Sequence, residues 1–406
     1  MDHQPDDGRG GSYRPRMEYD YDENFREAME NGLERALEGL TPEQLDKLEA
    51  NVDTLVPTIV SQAIEDAAKG LVERLKQDAP GMLEHRRDWQ AEFEKRLAEH
   101  WGPAFDLAEM VMKVAFEAGE FFYEKHVPPD GQHDFVFEAL SRLLARACRI
   151  AEEVLVLLKA GYGQAGLARW RALDEVAIVA DFIAENGDDC AERYFAHEAI
   201  ETWRGMQEFQ QHAERLGETP YSEVEVEAAK HRFDALIGRY GSRFGDPYGW
   251  AQAALAAKDP RYSKKNVTLA AIEQSVGTQH MRPYYRMASH GIHANPKGIT
   301  WTPDLLPTDG RGSLLTGPSP AGLADPGQSA LISLTRVTAS TLASKKGEAT
   351  GLIILALLQL TDEAGEAYLR AHRDLEAKAG KRPMPAAGSK HRRRRLTLVS
   401  LALVRG

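Results

Sequence analysis

A chain of 406 residues with 43% hydrophobic content is long enough for two or three domains, or for one large helical body with a real core. Its formal charge of −12 is uneven, because residues 381–406 hold eight basic side chains and no acid, leaving 42 basic against 62 acidic residues elsewhere, a balance of −20. That excludes a general nucleic-acid binder with a broad basic face, and the lack of a membrane-length apolar run or a signal peptide predicts a cytoplasmic protein with no membrane contact.

Residues 1–16 are polar and without periodicity, so they are expected to be a disordered leader. From Met17 onward apolar residues recur at three and four: Leu33, Ala36, Leu37 and Leu40, then Leu45 and Leu48 after Thr41 and Gln44, which have capping-box spacing. Amphipathic patterning predicts further helices over 59–75, 89–100 and 105–126, completing an N-terminal helical region at 17–127 whose charged side chains, such as Glu92, Glu94, Lys95 and Arg96, form a solvated face. The Pro-Pro-Asp-Gly turn within 127–132 is the candidate boundary. His126 and His133 flank it near Asp130 and Asp134, but loop histidines so loosely placed are usually solvent-exposed. No metal site is predicted there, and no cofactor.

The second region, 131–380, opens with a helix over 135–159, where Cys148 sits among Leu143, Leu144, Ala147 and Ile150 as a small core residue. A break at 161–163 precedes a helix over 165–185 with a broad apolar arc through Leu167, Trp170, Leu173, Val176 and Phe182. Arg171 and Glu175 are the polar exceptions on it. An i, i+4 pair on a buried helix has to be neutralised or functional, so Glu175 either pairs with Arg171 or Arg286 across the packing, or the two serve substrate. Helices follow over 191–215, with His197, Glu198 and Glu201 read as a surface face, and over 224–240 and 266–276. Between the last two, the glycines and aromatics Phe244, Tyr248 and Trp250 predict irregular backbone with an aromatic core.

The stretch Pro283–Asn295 carries the chemistry that stands out. Proline suits a first helical turn and a residue before proline leaves the α region, so one helix is predicted between Pro283 and the Asn295-Pro296 step. On that helix Arg286, Ser289, His290 and His293 share a face. A guanidinium can hold a phosphate bidentately and an imidazole can move a proton near neutral pH, so the set suits acid-base work on a phosphodiester. The competing reading puts Arg286 in an ion pair and makes the histidines hydrogen-bonding structural residues.

Tyr285-Arg286, Ser289, His293 and the following Ala-Asn-Pro resemble the signature of a bacterial helical family known as a domain of unknown function, and the stretch from Arg169 to Glu175 resembles the helix such proteins carry about a hundred residues earlier. Arg286 and His293 are also similar in spacing to the Arg-x4–6-His motif of the HEPN superfamily. That resemblance implies a metal-independent RNase of a phage-defence or toxin system, working on RNA as a homodimer with Arg286 and His293 of both protomers near the twofold axis. Arg286, His293 and His290 would be catalytic, and Tyr285, Ser289, Arg171 and Glu175 would bind substrate. Active HEPN motifs commonly carry a polar residue after the arginine, where this chain has Met287; that departure and the acidic body favour a non-catalytic helical scaffold that binds a protein partner through the same pocket.

Residues 294–328 hold six prolines and six glycines and are predicted to be a long loop, with Trp301 available to stack on a base or close the site. Helices over 330–344 and 348–377 end the second region, the latter too short in its apolar run for a membrane span. The Arg392–Arg395 run in the basic tail, 381–406, suits phosphate contacts. The predicted fold is all-α: a multi-helix bundle with an N-terminal helical region and a C-terminal HEPN-like helical domain.

Overall fold

In the computed structural model the described residues are 21–379, apart from 39, 51, 302, 306–313, 346 and 347; the predicted leader and the basic tail lie outside them. The fold is all-α, and among the described residues there is no strand. The helices are α1 (Tyr21–Glu38), α2 (Pro42–Ala50), α3 (Val52–His126), α4 (Phe135–Lys159), α5 (Gly163–Ala196), α6 (Glu198–Leu216), α7 (Glu223–Tyr240), α8 (Gln252–Lys258), α9 (Leu269–Ser275), α10 (Arg282–His290), α11 (Pro296–Thr300), α12 (Ala324–Ala343) and α13 (Glu348–Lys378). The chain divides into two compact units at 96/97, inside α3.

The first unit holds α1, α2 and the start of α3. The capping box at α2 forms as its spacing predicts, with Gln44 N–H donating to Thr41 Oγ1 and Thr41 N–H to Gln44 Oε1 at 2.8 Å. Three separate helices over 59–126 are not seen; α3 is continuous for 75 residues. At Gly102-Pro103, where a break is most natural, Trp101 and Phe105 are both buried, and that packing offsets the hydrogen bond proline removes.

In the second unit α4, α5 and α13 pack around α12. By composition α12 is half polar, yet 15 of its 20 residues are buried. Its hydroxyls are satisfied inside: Ser333 Oγ accepts from Trp170 Nε1 at 3.0 Å, Thr335 and Thr361 share a 2.7 Å bond, and Thr338 donates to Leu334 O. Arg336 lies on the same helix, with Nη2 2.6 Å from Asp181 and Nη1 3.3 Å from Asp174. The helix also begins earlier than predicted, at Ala324, because Pro326 falls in its first turn, where no intrahelical N–H is needed.

Gly327 lets the buried ring of Tyr368 lie flat on α12, since a Cβ there would stand 2.4 Å from Tyr368 Cζ. Trp101 and Phe105 of α3 close the other side of that ring, with centroids 6.1 and 6.2 Å away. Gly327→Ala therefore overpacks a site that cannot yield, and a loss of about 1–3 kcal/mol is expected, read as a lower urea midpoint at unchanged slope. A wild-type midpoint would mean that Tyr368 repacks freely.

Candidate functional site

The motif helix is shorter than its sequence predicts. α10 ends at His290, and His293 lies beyond it in a turn held by His293 N–H donating to Ser289 O at 3.2 Å. The reason is Asn295. Rather than merely closing one helix it opens the next: its backbone is extended (φ −88°, ψ 161°), its Oδ1 accepts the Gly298 N–H at 2.8 Å, and Pro296 occupies the first position of α11. Gly298 packs against the preceding turn so closely that a Cβ would meet His290 O at 2.3 Å and His293 O at 2.8 Å. Asn295 also reaches His290, with Nδ2 3.2 Å from Nδ1 of the ring.

The predicted stripe accordingly splits in two. Arg286 and His293 are exposed, His290 is half-buried, and the side chains of Arg286 and His293 make no hydrogen bond or ion pair with the described residues. Ser289 and Tyr285 turn inward. Ser289 Oγ donates to Tyr285 O at 2.9 Å, while the buried Tyr285 donates its hydroxyl to Glu175 Oε1 at 2.5 Å. The same carboxylate oxygen lies 3.3 Å from Arg171 Nη2, so Glu175 pairs with Arg171. Arg171 of α5 stacks over the Tyr285 ring at 4.7 Å and so clasps α5 to α10, while Arg282, one turn earlier on α10, lies over the same ring at 5.4 Å.

Each of those guanidinium groups is neutralised. Arg282 Nη2 lies 2.6 Å from the buried carboxylate of Glu273 on α9, whose burial pushes its carboxyl up from the ordinary range against the pull of Arg282. Burial and the bond to Glu175 likewise push the Tyr285 phenol far up. Tyr248, held in a left-handed conformation (φ 58°), feels the same charges, and burial and Glu175 raise its phenol.

Trp301 is the half-buried C-cap residue of α11, and the predicted 294–328 loop is shorter than expected, since it contains α11 and the start of α12; only 302 and 306–313 of it lie outside the described residues. Beyond it, Asp304 is buried and its Oδ2 accepts the Gln164 N–H at the start of α5 at 3.0 Å, with Oδ1 left unpartnered; burial lifts its carboxyl to about 6. His197, expected on the surface, is buried, with Nε2 3.1 Å from Asp246 O and Nδ1 3.6 Å from Glu201. Burial pushes the Cys148 thiol up to about 11 and that of Cys190 up to about 12, so neither is a ready nucleophile. Among the described residues no three His, Cys, Asp or Glu side chains are grouped to hold a metal ion, and no helix is long and apolar enough to cross a membrane.

Sequence reasoning missed Asn295, Glu273, Arg282 and Asp304. Only Asn295 had a local signal: Asn-Pro is an N-cap followed by a first-turn proline, which marks a helix start as readily as an end. No curated protein and no solved structure matches this chain. Residues 137–306, which run from α4 through the motif turn and past Asp304 Cα, match the family described as a family of unknown function, DUF5677.

Proposed function

We propose that the turn running from Arg286 to His293 is the working face of a HEPN-like, metal-independent endoribonuclease acting in phage defence or as a toxin. The observation that carries this is that the motif's own cation and imidazole are both exposed and bonded to none of the described residues. Arg169, Arg171, Arg282 and Arg336 are each paired with a carboxylate, while Arg286 is exposed and bonded to none of the described residues, beside an equally unbonded His293. A cation kept free on an acidic chain suits an anionic ligand from outside.

In the proposed reaction Arg286 holds a non-bridging phosphate oxygen of RNA. One imidazole removes the proton of the ribose 2′-hydroxyl as its oxygen bonds to phosphorus. The bond from phosphorus to the 5′-oxygen breaks, and a second imidazole gives that oxygen a proton, leaving a 2′,3′-cyclic phosphate and a 5′-hydroxyl. The two imidazoles are His290 and His293 of one chain, or the His293 side chains of two protomers in a twofold dimer. The clasp of Tyr285, Arg171 and Glu175 supports a second reading, a non-catalytic scaffold docking a protein partner, since residues expected to bind substrate are bonded to one another.

Purified protein incubated with total RNA in EDTA tests the proposal. Cleavage to cyclic-phosphate ends is expected, falling by about 10²-fold or more in Arg286→Ala and in His293→Ala. Absence of cleavage by the wild-type protein selects the scaffold. Light scattering beside the assay separates the one-chain site from the dimeric one, because a strictly monomeric protein that still cleaves RNA has no second His293.

A further inference from the structure

The bonds of Asn295 bear on what His290 can present to a ligand. Its Oδ1 carries the Gly298 N–H at 2.8 Å, which fixes the orientation of the amide, because the flipped amide would set NH2 against that N–H. The His290 Nδ1 then lies 3.2 Å from Asn295 Nδ2 and 3.3 Å from Oδ1. If Nδ1 carried the hydrogen, it would have to share Oδ1 with the Gly298 N–H, while Nδ2, the nearer atom, would face a second donor. If Nδ1 carries a lone pair, Nδ2 donates to it, Oδ1 keeps the Gly298 bond, and all three polar groups are used.

We infer that Asn295 is a positioning residue that holds neutral His290 as the Nε2–H tautomer, so that His290 offers a ligand a hydrogen-bond donor, and His293 is left as the imidazole of this turn with a lone pair free to act as base. The division of roles rests on the nuclease proposal; the tautomer does not. A ligand meeting this turn would find the Arg286 guanidinium and an imidazole N–H, both suited to phosphate oxygens, with His293 beside them for the ribose hydroxyl. Gly298 is part of the device, since its closeness to His290 O and His293 O brings Asn295 within reach of the ring.

Two substitutions keep the α11 cap and change only what meets the ring. Asn295→Asp still accepts from Gly298 N–H but presents only acceptors to His290, and Asn295→Ser still caps but is too short to reach it. Nitrogen-15 spectra of the full-length protein at alkaline pH, with the His290 signals assigned by their loss in His290→Ala, report the tautomer directly. The wild type is expected to show Nε2–H alone, Asn295→Asp to switch to Nδ1–H, and Asn295→Ser to give a mixture. A wild-type Nδ1–H signal, or an Asn295→Asp spectrum identical to that of the wild type, overturns the assignment. In the EDTA cleavage assay Asn295→Asp is expected to fall about 10²-fold, to the level of His290→Ala. Wild-type cleavage by Asn295→Asp removes the positioning role. Wild-type protein that cleaves nothing removes the nuclease proposal and leaves the tautomer result to stand or fall on the spectra.

Discussion

Replacing Arg336 with methionine is expected to destabilise the protein by about 3–5 kcal/mol at pH 8, the usual cost of stranding a buried charge. Asp174 is wholly buried and Asp181 half-buried, and among the described residues Arg336 is the cation paired with both, although Ser340 Oγ also donates to Asp181 at 2.6 Å. Asp174 Oδ2 already lacks a partner, and burial lifts the Asp174 carboxyl above its ordinary range even with Arg336 beside it. Without the guanidinium it rises further. A carboxyl whose folded pKa is raised supports folding while both states are protonated and loses that support as pH rises through the folded value. The gap between wild type and Arg336→Met should therefore narrow toward pH 5 and widen toward pH 8. Adding Asp174→Asn to Arg336→Met should recover part of the loss, because an amide needs no counter-charge. Denaturant unfolding at the two pH values checks this, and a loss below about 1 kcal/mol at pH 8 would mean that water reaches the aspartates.

Asp304→Asn is expected to act in the opposite direction, stabilising the protein at neutral and alkaline pH. The Asp304 carboxyl is raised from 3.8 to about 6 by burial, so the folded state holds a proton that the unfolded chain releases earlier. Its support for folding is complete below about 3.8 and is lost as pH climbs through about 6. A shift of that size corresponds to a ceiling of about 3 kcal/mol above pH 7. Asparagine keeps an acceptor for the Gln164 N–H and removes the charge. Thermal unfolding should show the variant level with wild type at pH 4 and more stable by about 1–3 kcal/mol at pH 8. Equal stability at both pH values would place Asp304 in contact with solvent.

The site was partly legible. Arg286, His290 and His293 stand out as candidates by their types and spacing, and the pairing of Arg171 with Glu175 follows from the oddity of a charged pair on an apolar arc. The predicted single stripe failed because Asn295-Pro296 carries two local meanings. Both the end of one helix and the start of another are compatible with the same dipeptide, and the Gly298 N–H decides between them. The inward turn of Ser289 and Tyr285 was not legible, since a helix face becomes inside or outside only when its neighbour is known.

Local physics in the chain determined the helices. Periodicity at three and four located α4, α7 and α13 closely, the Thr41–Gln44 box set the start of α2, and Gly161 to Gly163 ended α4. Those signals depend on neighbours within a turn or two and survive without tertiary context. Tertiary structure alone decided which polar side chains would be buried and paired, because each pair joins distant positions: Arg336 to Asp174 across 162 residues, Tyr285 to Glu175 across 110 and Asp304 to Gln164 across 140. It also carried α3 through Pro103, where burial of Trp101 and Phe105 outweighs the lost backbone bond, and it made the half-polar α12 the centre of the bundle. A polar group is tolerated inside only when its partner arrives from elsewhere in the chain, and no window of sequence contains that partner.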